Sequence, residues 1–197
     1  MVVIYMEKIW IATGNAHKVE EFQKMFGDSV QVCCLKDLKQ DIEIEENGTT
    51  FEENALIKAR SLYNVLHEPV ISDDSGLEVD AMNKAPGVQS ARWMGEDTSY
   101  DIKNNQIIKN VEGKVRTARF VCVIAYIDVS GHEKTYRGVV EGEINDRILG
   151  TNGFGYDPIF YYPEFKTTLA NVPSELKNTV SHRSRALEQF LKDWRKV

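Results

Sequence analysis

Apolar positions recur along this chain at two spacings, and the order of those spacings sketches a fold. The run KIWIA at residues 8–12 predicts a buried strand that empties into the small polar loop Thr13-Gly14-Asn15. A helix is predicted from about residue 18 to residue 26. The strongest helical pattern comes next. Thr50 and Glu53 form a capping box, and Phe51, Ala55, Ala59, Leu62, Tyr63 and Leu66 keep to one face. Residues 70–72 predict a short strand and residues 100–111 a further helix. Residues 120–128 and 134–140, joined through Ser130-Gly131, read as an antiparallel hairpin. A glycine-rich loop at 150–158 precedes a last helix at about 181–194, with Ala186, Leu187, Phe190, Leu191 and Trp194 as its buried stripe. Early alternation of strand and helix followed by a late hairpin predicts an α/β fold with a mixed sheet.

Composition narrows the function. The 197 residues, 42% hydrophobic and 27% charged, suffice for one sizeable core or two lobes around a cleft. No repeat or Pro/Ser-rich linker interrupts them, so a single domain over 1–197 is expected. A formal net charge of -6 argues against a nucleic-acid polymer as partner, which would require a cationic footprint. Cys33, Cys34 and Cys122 are odd in number and two are adjacent, so they make no disulfide framework. Zinc-site spacings such as Cys-x-x-Cys or His-Glu-x-x-His are absent. The opening MVVIYMEKIWIATG is apolar but lacks the basic start and cleavage site of a secretory signal. A cytoplasmic protein without a membrane span is expected.

The chemistry concentrates in a few short segments. In ISDDSGLEVD, residues 71–80, Asp73 and Asp74 follow an apolar run, with Ser75-Gly76 predicting a turn. Adjacent carboxylates at a strand end repel and lose hydration, which suits a divalent cation or a proton-transfer role. The same string also reads as a solvated turn. Thr13-Gly14-Asn15-Ala16-His17-Lys18 joins strand to helix and either presents backbone N–H groups to an anion or simply caps the helix through Asn15. Lys58 falls off the apolar stripe and by itself reads as solvated. Glu43, Glu45 and Glu46 read as a solvated acidic loop or, with Asp74, as a cation site suited to magnesium. In Gly153-Phe154-Gly155-Tyr156-Asp157-Pro158, Phe154 or Tyr156 offers a flat face for a base, or both belong to the core. Ser181-His182-Arg183 combines a cap, two donors and a positive helix end, with Lys177 close by in sequence; alone, His182 reads as a surface residue.

Together these segments resemble the inosine triphosphate pyrophosphatase family. The likeness is carried by TGNAHK at 13–18, FEENALIKAR at 51–60, SDDSGLEVD at 72–80, PGVQSARW at 86–93, TARF at 117–120, GFGYDPIF at 153–160 and SHRSRAL at 181–187. It spans nearly the whole chain, with the residues before Lys8 as an extension outside the pattern. The resemblance implies an elongated mixed β-sheet flanked by helices, two lobes with a central cleft, and a homodimer. It implies Mg²⁺-dependent conversion of ITP, dITP or XTP to the monophosphate plus pyrophosphate. By position, Thr13, Gly14, Asn15, Ala16, His17, Lys18 and Lys58 would hold the triphosphate. Asp74 would be the general base and, with Glu45, a metal ligand; Glu46 or Asp73 could replace Glu45. Ser75, Phe154, Gly155, Tyr156, Asp157, Lys177, His182 and Arg183 would hold the nucleoside. The competing readings are a septum-inhibitor-type nucleotide pyrophosphatase with another base preference and a non-catalytic nucleotide sensor.

Overall fold

Strand β1, Glu7–Ile11, pairs in parallel with β2, Val30–Cys34, from Glu7 opposite Val30 to Ile11 opposite Cys34. On its other side β1 runs parallel to β3, Val70–Val79, with Trp10 opposite Val70. Helix α1, Ala16–Phe26, connects β1 to β2, and helix α2, Phe51–Leu66, leads into β3. The first connection runs outward from β1 to β2 and the second runs back from β2 past β1 to β3, so they cross the sheet in opposite directions. Right-handed crossovers therefore put α1 and α2 on opposite faces of the sheet, with a switch point at the β1 end where Thr13 begins the loop. The computed structural model describes residues 7–194. The predicted extension before Lys8 lies mostly outside those residues.

The remaining elements are helix α3, Tyr100–Asn110, strands β4, Thr117–Ile127, and β5, Glu133–Ile144, then the short β6, Phe160–Tyr162, and β7, Thr167–Thr168. Helices α4, Ser174–Asn178, and α5, His182–Trp194, close the chain. The strand order is β2-β1-β3-β4-β5-β6-β7, a mixed seven-stranded sheet with helices flanking it. Strands β4 and β5 form the predicted hairpin. The Asp128 N–H donates to His132 O at 3.1 Å and the Ile144 N–H to Arg116 O at 2.8 Å, so one antiparallel register holds from end to end.

The chain divides into two compact units, one containing the residues up to Asp74 together with Val123–Tyr136, the other Ser75–Cys122 and the segment from Arg137 onward. The first has its core between the sheet and its helices, with Ile9, Ile11, Phe22, Ala59 and Leu62 fully buried. The second is centred on Leu77, Ile107, Val140, Ile159, Phe160 and Leu169. No helix among the described residues is long and apolar enough to cross a membrane.

Two local expectations change. The predicted turn at Ser75-Gly76 is strand: β3 continues through Asp73, Asp74, Ser75 and Gly76, and nearly all of it is buried. Lys58 is also buried, not solvated. It lies two helical turns after Phe51, so it shares the inward face of α2 with Asn54, Ala55 and Leu62.

Candidate active site

A buried strand can carry two successive aspartates only if each finds a cation, because alternate side chains leave a strand on opposite faces. That is the observed arrangement. Asp73 Oδ2 pairs with Lys18 Nζ of α1 at 2.8 Å, and Asp74 Oδ1 accepts from Lys58 Nζ of α2 at 2.9 Å. Opposite faces thus supply one lysine each, and the expected mutual repulsion of the aspartates is relieved. Glu46 Oε2 is a second acceptor for Lys58 at 3.2 Å. Nearby, the Gly48 N–H donates to Asn54 Oδ1 at 2.8 Å, and Glu53 accepts from the Thr49 and Thr50 N–H groups, which folds the acidic loop onto the start of α2. Ser72 Oγ donates to Ala55 O at 2.5 Å and ties β3 to the same helix.

Hydrogen bonding in this cluster leaves Asp74 open on one side. Asp74 Oδ2 is buried and accepts no hydrogen bond. Burial pushes the Asp74 carboxyl above the ordinary range, and Lys58 only partly opposes it. Burial would depress the Lys58 ammonium, but Asp74, Asp73 and Glu46 outweigh it and its pKa rises. The pair is therefore a firmly charged lysine beside a carboxylate of enhanced basicity, with one oxygen open. An orphaned carboxylate oxygen in a site rich in hard oxygen donors suits Mg²⁺. Among the described residues no three His, Cys, Asp or Glu side chains converge into a cage. Mg²⁺ needs none, since it keeps waters and is held through one or two carboxylates plus phosphate.

The second cluster lies on the loop after β5 and the start of α5. Asp157 is buried, and its Oδ2 accepts from Lys177 Nζ at 2.7 Å and from the Phe154 N–H at 2.9 Å. A Cβ at Gly153 would fall 2.2 Å from that oxygen, and its φ is +72°, so space and backbone both require glycine. The half-buried Phe154 ring has Lys177 Nζ 5.0 Å and Arg183 Cζ 6.0 Å from its centroid. Arg183, 2% exposed, donates from Nη2 to Ser75 Oγ at 3.2 Å. His182 is buried, not a surface residue, and stacks on Phe120 with centroids 4.9 Å apart.

A family model covers residues 9–193 of this chain. The chain belongs to the Ham1 family. Curated Ham1 relatives extend the match: a dITP/XTP pyrophosphatase of Listeria monocytogenes serotype 4b is 49% identical over 98% of this chain and 97% of its own length. One from Clostridium perfringens is 43% identical over 95% and 97%. The solved Ham1 protein of Staphylococcus aureus superposes with a TM-score of 0.89 at 39% identity, covering 96% of this chain and 99% of that one.

Within this Ham1 chain the structure brings Lys18, Lys58, Asp73, Asp74 and Glu46 into one set, and Ser75, Phe154, Asp157, Lys177 and Arg183 into another. Glu45 stays exposed, and its neighbour Glu46 faces Lys58 instead. Asn15 caps α1, accepting from the His17 N–H at 3.0 Å and the Lys18 N–H at 3.4 Å; Gly14, Ala16 and His17 are exposed. Tyr156 belongs to the core: its hydroxyl donates to Ser90 O at 2.7 Å, and burial raises its pKa. Gly155 O accepts from Asn104 Nδ2 at 3.1 Å, which fastens the loop to α3. Sequence reasoning missed Asn104 and Ser90 as supports. Nothing in their local pattern marks them, because the partner lies far along the chain. Arg119 of the TARF segment is structural, bound to Asp80 at 2.9 Å and Glu141 at 3.0 Å.

Proposed function

We propose that this chain is a Mg²⁺-dependent nucleoside triphosphate pyrophosphatase that hydrolyses ITP, dITP or XTP to the monophosphate and pyrophosphate. It would act on the nucleotide pool of the cytoplasm as a homodimer, both of which rest on composition and resemblance. The observation that carries the reading is Asp74: a buried carboxylate with raised basicity and an open oxygen, set among lysines in a chain of this family. Relatives that are dITP/XTP pyrophosphatases support the substrate class.

The triphosphate is held by the Thr13–Lys18 turn and by Lys58, whose ammonium stays charged at any working pH. Asp74 and Glu46 are the carboxylates that would hold Mg²⁺, with Glu46 in the place the resemblance implied for Glu45. When bound, the ion would offset phosphate charge and acidify a coordinated water. The Asp74 carboxylate orients the attacking water toward the α-phosphorus and accepts its proton. Lys18 and Lys58 offset charge building on the departing pyrophosphate.

Base choice follows from hydrogen-bond polarity. Hypoxanthine and xanthine offer a 6-keto acceptor, whereas adenine offers a 6-amino donor. Donors from Arg183 or His182 match the first and clash with the second, at a cost of about 1–3 kcal/mol per mismatched buried group. Phe154, flanked by two cations, supplies the flat face. A sensor has no use for a buried base of raised pKa, and the septum-inhibitor alternative is not favoured by relatives named for dITP and XTP. The test is pyrophosphate release from ITP, dITP, XTP, ATP and GTP with Mg²⁺ or EDTA. Release from the first three that EDTA abolishes is expected. Orthophosphate as the product, or equal rates on ATP, would overturn the reading.

A further inference from the structure

We propose that Gly138 is a positioning residue for base recognition: it lets the first turn of α5 sit directly on β5 and so sets where His182 and Arg183 present their donors. This deepens the functional reading above and rests on it. Glycine weakens a strand interior, and its occurrence there marks a close approach of another backbone. At Gly138 the approach is extreme. A Cβ built there would lie 2.1 Å from His182 O, 2.5 Å from Ala186 N and 3.1 Å from Ala186 Cα. All three are main-chain atoms of α5, so no rotamer change relieves the contact and the helix itself must shift.

The strand residues on either side of Gly138 fasten that helix. Arg185 Nη1 donates to Val139 O at 2.7 Å, and Gln189 Nε2 donates to Arg137 O at 2.8 Å. The His182 ring is fixed from another direction. It lies 19° from parallel on Phe120, which packs in turn on Phe160 at 4.4 Å. Ser181 caps the same turn, accepting from the Ser184 N–H at 3.2 Å. His182 is thus held by strand β5 through its main chain and by strand β4 through its ring. Arg183 follows in the same turn, with Ser75 Oγ as a partner. A methyl group at position 138 would displace both donors together while leaving Lys18, Lys58 and Asp74 untouched.

The test compares Gly138→Ala with wild type for kcat and KM on ITP and ATP, with inhibition by inorganic triphosphate as a report on the phosphate side. The expected result is a fall of about tenfold in ITP-over-ATP discrimination, carried by KM, with triphosphate inhibition unchanged. Where the Gly138→Ala protein fails to fold, Arg185→Ala/Gln189→Ala decides. It removes both fastenings from exposed positions without a clash and should lower discrimination by roughly threefold. A folded variant that keeps wild-type discrimination overturns the proposal, as does an equal loss toward ITP, ATP and triphosphate. Wild-type protein that releases no pyrophosphate from ITP overturns the functional reading itself, and this inference with it.

Discussion

Charge is handled in opposite ways around Asp74 and around Phe154. On β3 the acidic groups come first, and lysines from two helices answer them, leaving Asp74 Oδ2 without a hydrogen bond. Around Phe154, on the loop after β5, cations from α4 and α5 gather instead. Lys177 and Arg183 flank an aromatic ring, and Asp157 holds one of them in place. On the proposed reading the first environment would hold a metal ion, a phosphate chain and a proton, and the second a flat, acceptor-rich ring. Each set uses buried charges, yet the first leaves a carboxylate oxygen of raised basicity open at Asp74, and that difference separates chemistry from selection.

Removing the base should have the largest effect. Asp74→Asn is nearly isosteric and should lower kcat/KM for ITP by about 10²–10⁴-fold while ITP still binds, as read by calorimetry. In the wild type the acid limb of kcat/KM should fall above the ordinary aspartate value of about 3.9, because burial raises the Asp74 pKa and a general base works only above it. An acid limb at or below that value would remove Asp74 as the base.

Lys58→Met comes next. Leaving a buried carboxylate without its ammonium should cost about 3–5 kcal/mol near neutral pH. The sign with pH is defined. Losing the lysine lifts the folded-state pKa of Asp74 further above its unfolded value, so the folded protein binds a proton more readily. The deficit should therefore shrink as pH falls through the raised Asp74 pKa of the variant and hold level around neutrality, where wild-type Lys58 keeps its proton. Denaturant titrations at acid and neutral pH check this, and a deficit that is no smaller at acid pH would contradict the pairing. Ser75→Ala acts on the other set. Loss of the hydrogen bond from Arg183 should raise KM for ITP roughly tenfold with kcat nearly unchanged. Smallest is Thr50→Ala, which removes the α2 cap and should lower stability by about 1 kcal/mol without altering base preference.

Periodicity located the long elements well. The helix predicted over 18–26 is Ala16–Phe26, lengthened because Asn15 supplies the cap, and the hairpin is present with its turn where Ser130-Gly131 placed it. Strands β6 and β7 and helix α4 are too short to show a pattern, and β2 was not legible because its burial does not alternate through Cys33 and Cys34. The string Asp73-Asp74-Ser75-Gly76 has every local mark of a turn. It is strand because Lys18 and Lys58 arrive from α1 and α2, and Arg183 reaches Ser75, which is tertiary information. Lys58 was misplaced for the same reason: its position on α2 is inward, but a lysine there makes sense only once Asp74 is known to face it. That Glu46 pairs with Lys58 follows from how Asn54 and Glu53 fold the acidic loop onto the helix.

The direct test of Asp74 as the group that aims water at the α-phosphorus is hydrolysis of ITP in ¹⁸O-labelled water, with both products analysed by mass spectrometry. The account predicts label in the nucleoside monophosphate alone, formed at a rate that collapses in Asp74→Asn. Label in pyrophosphate, or an undiminished rate in that variant, would contradict it.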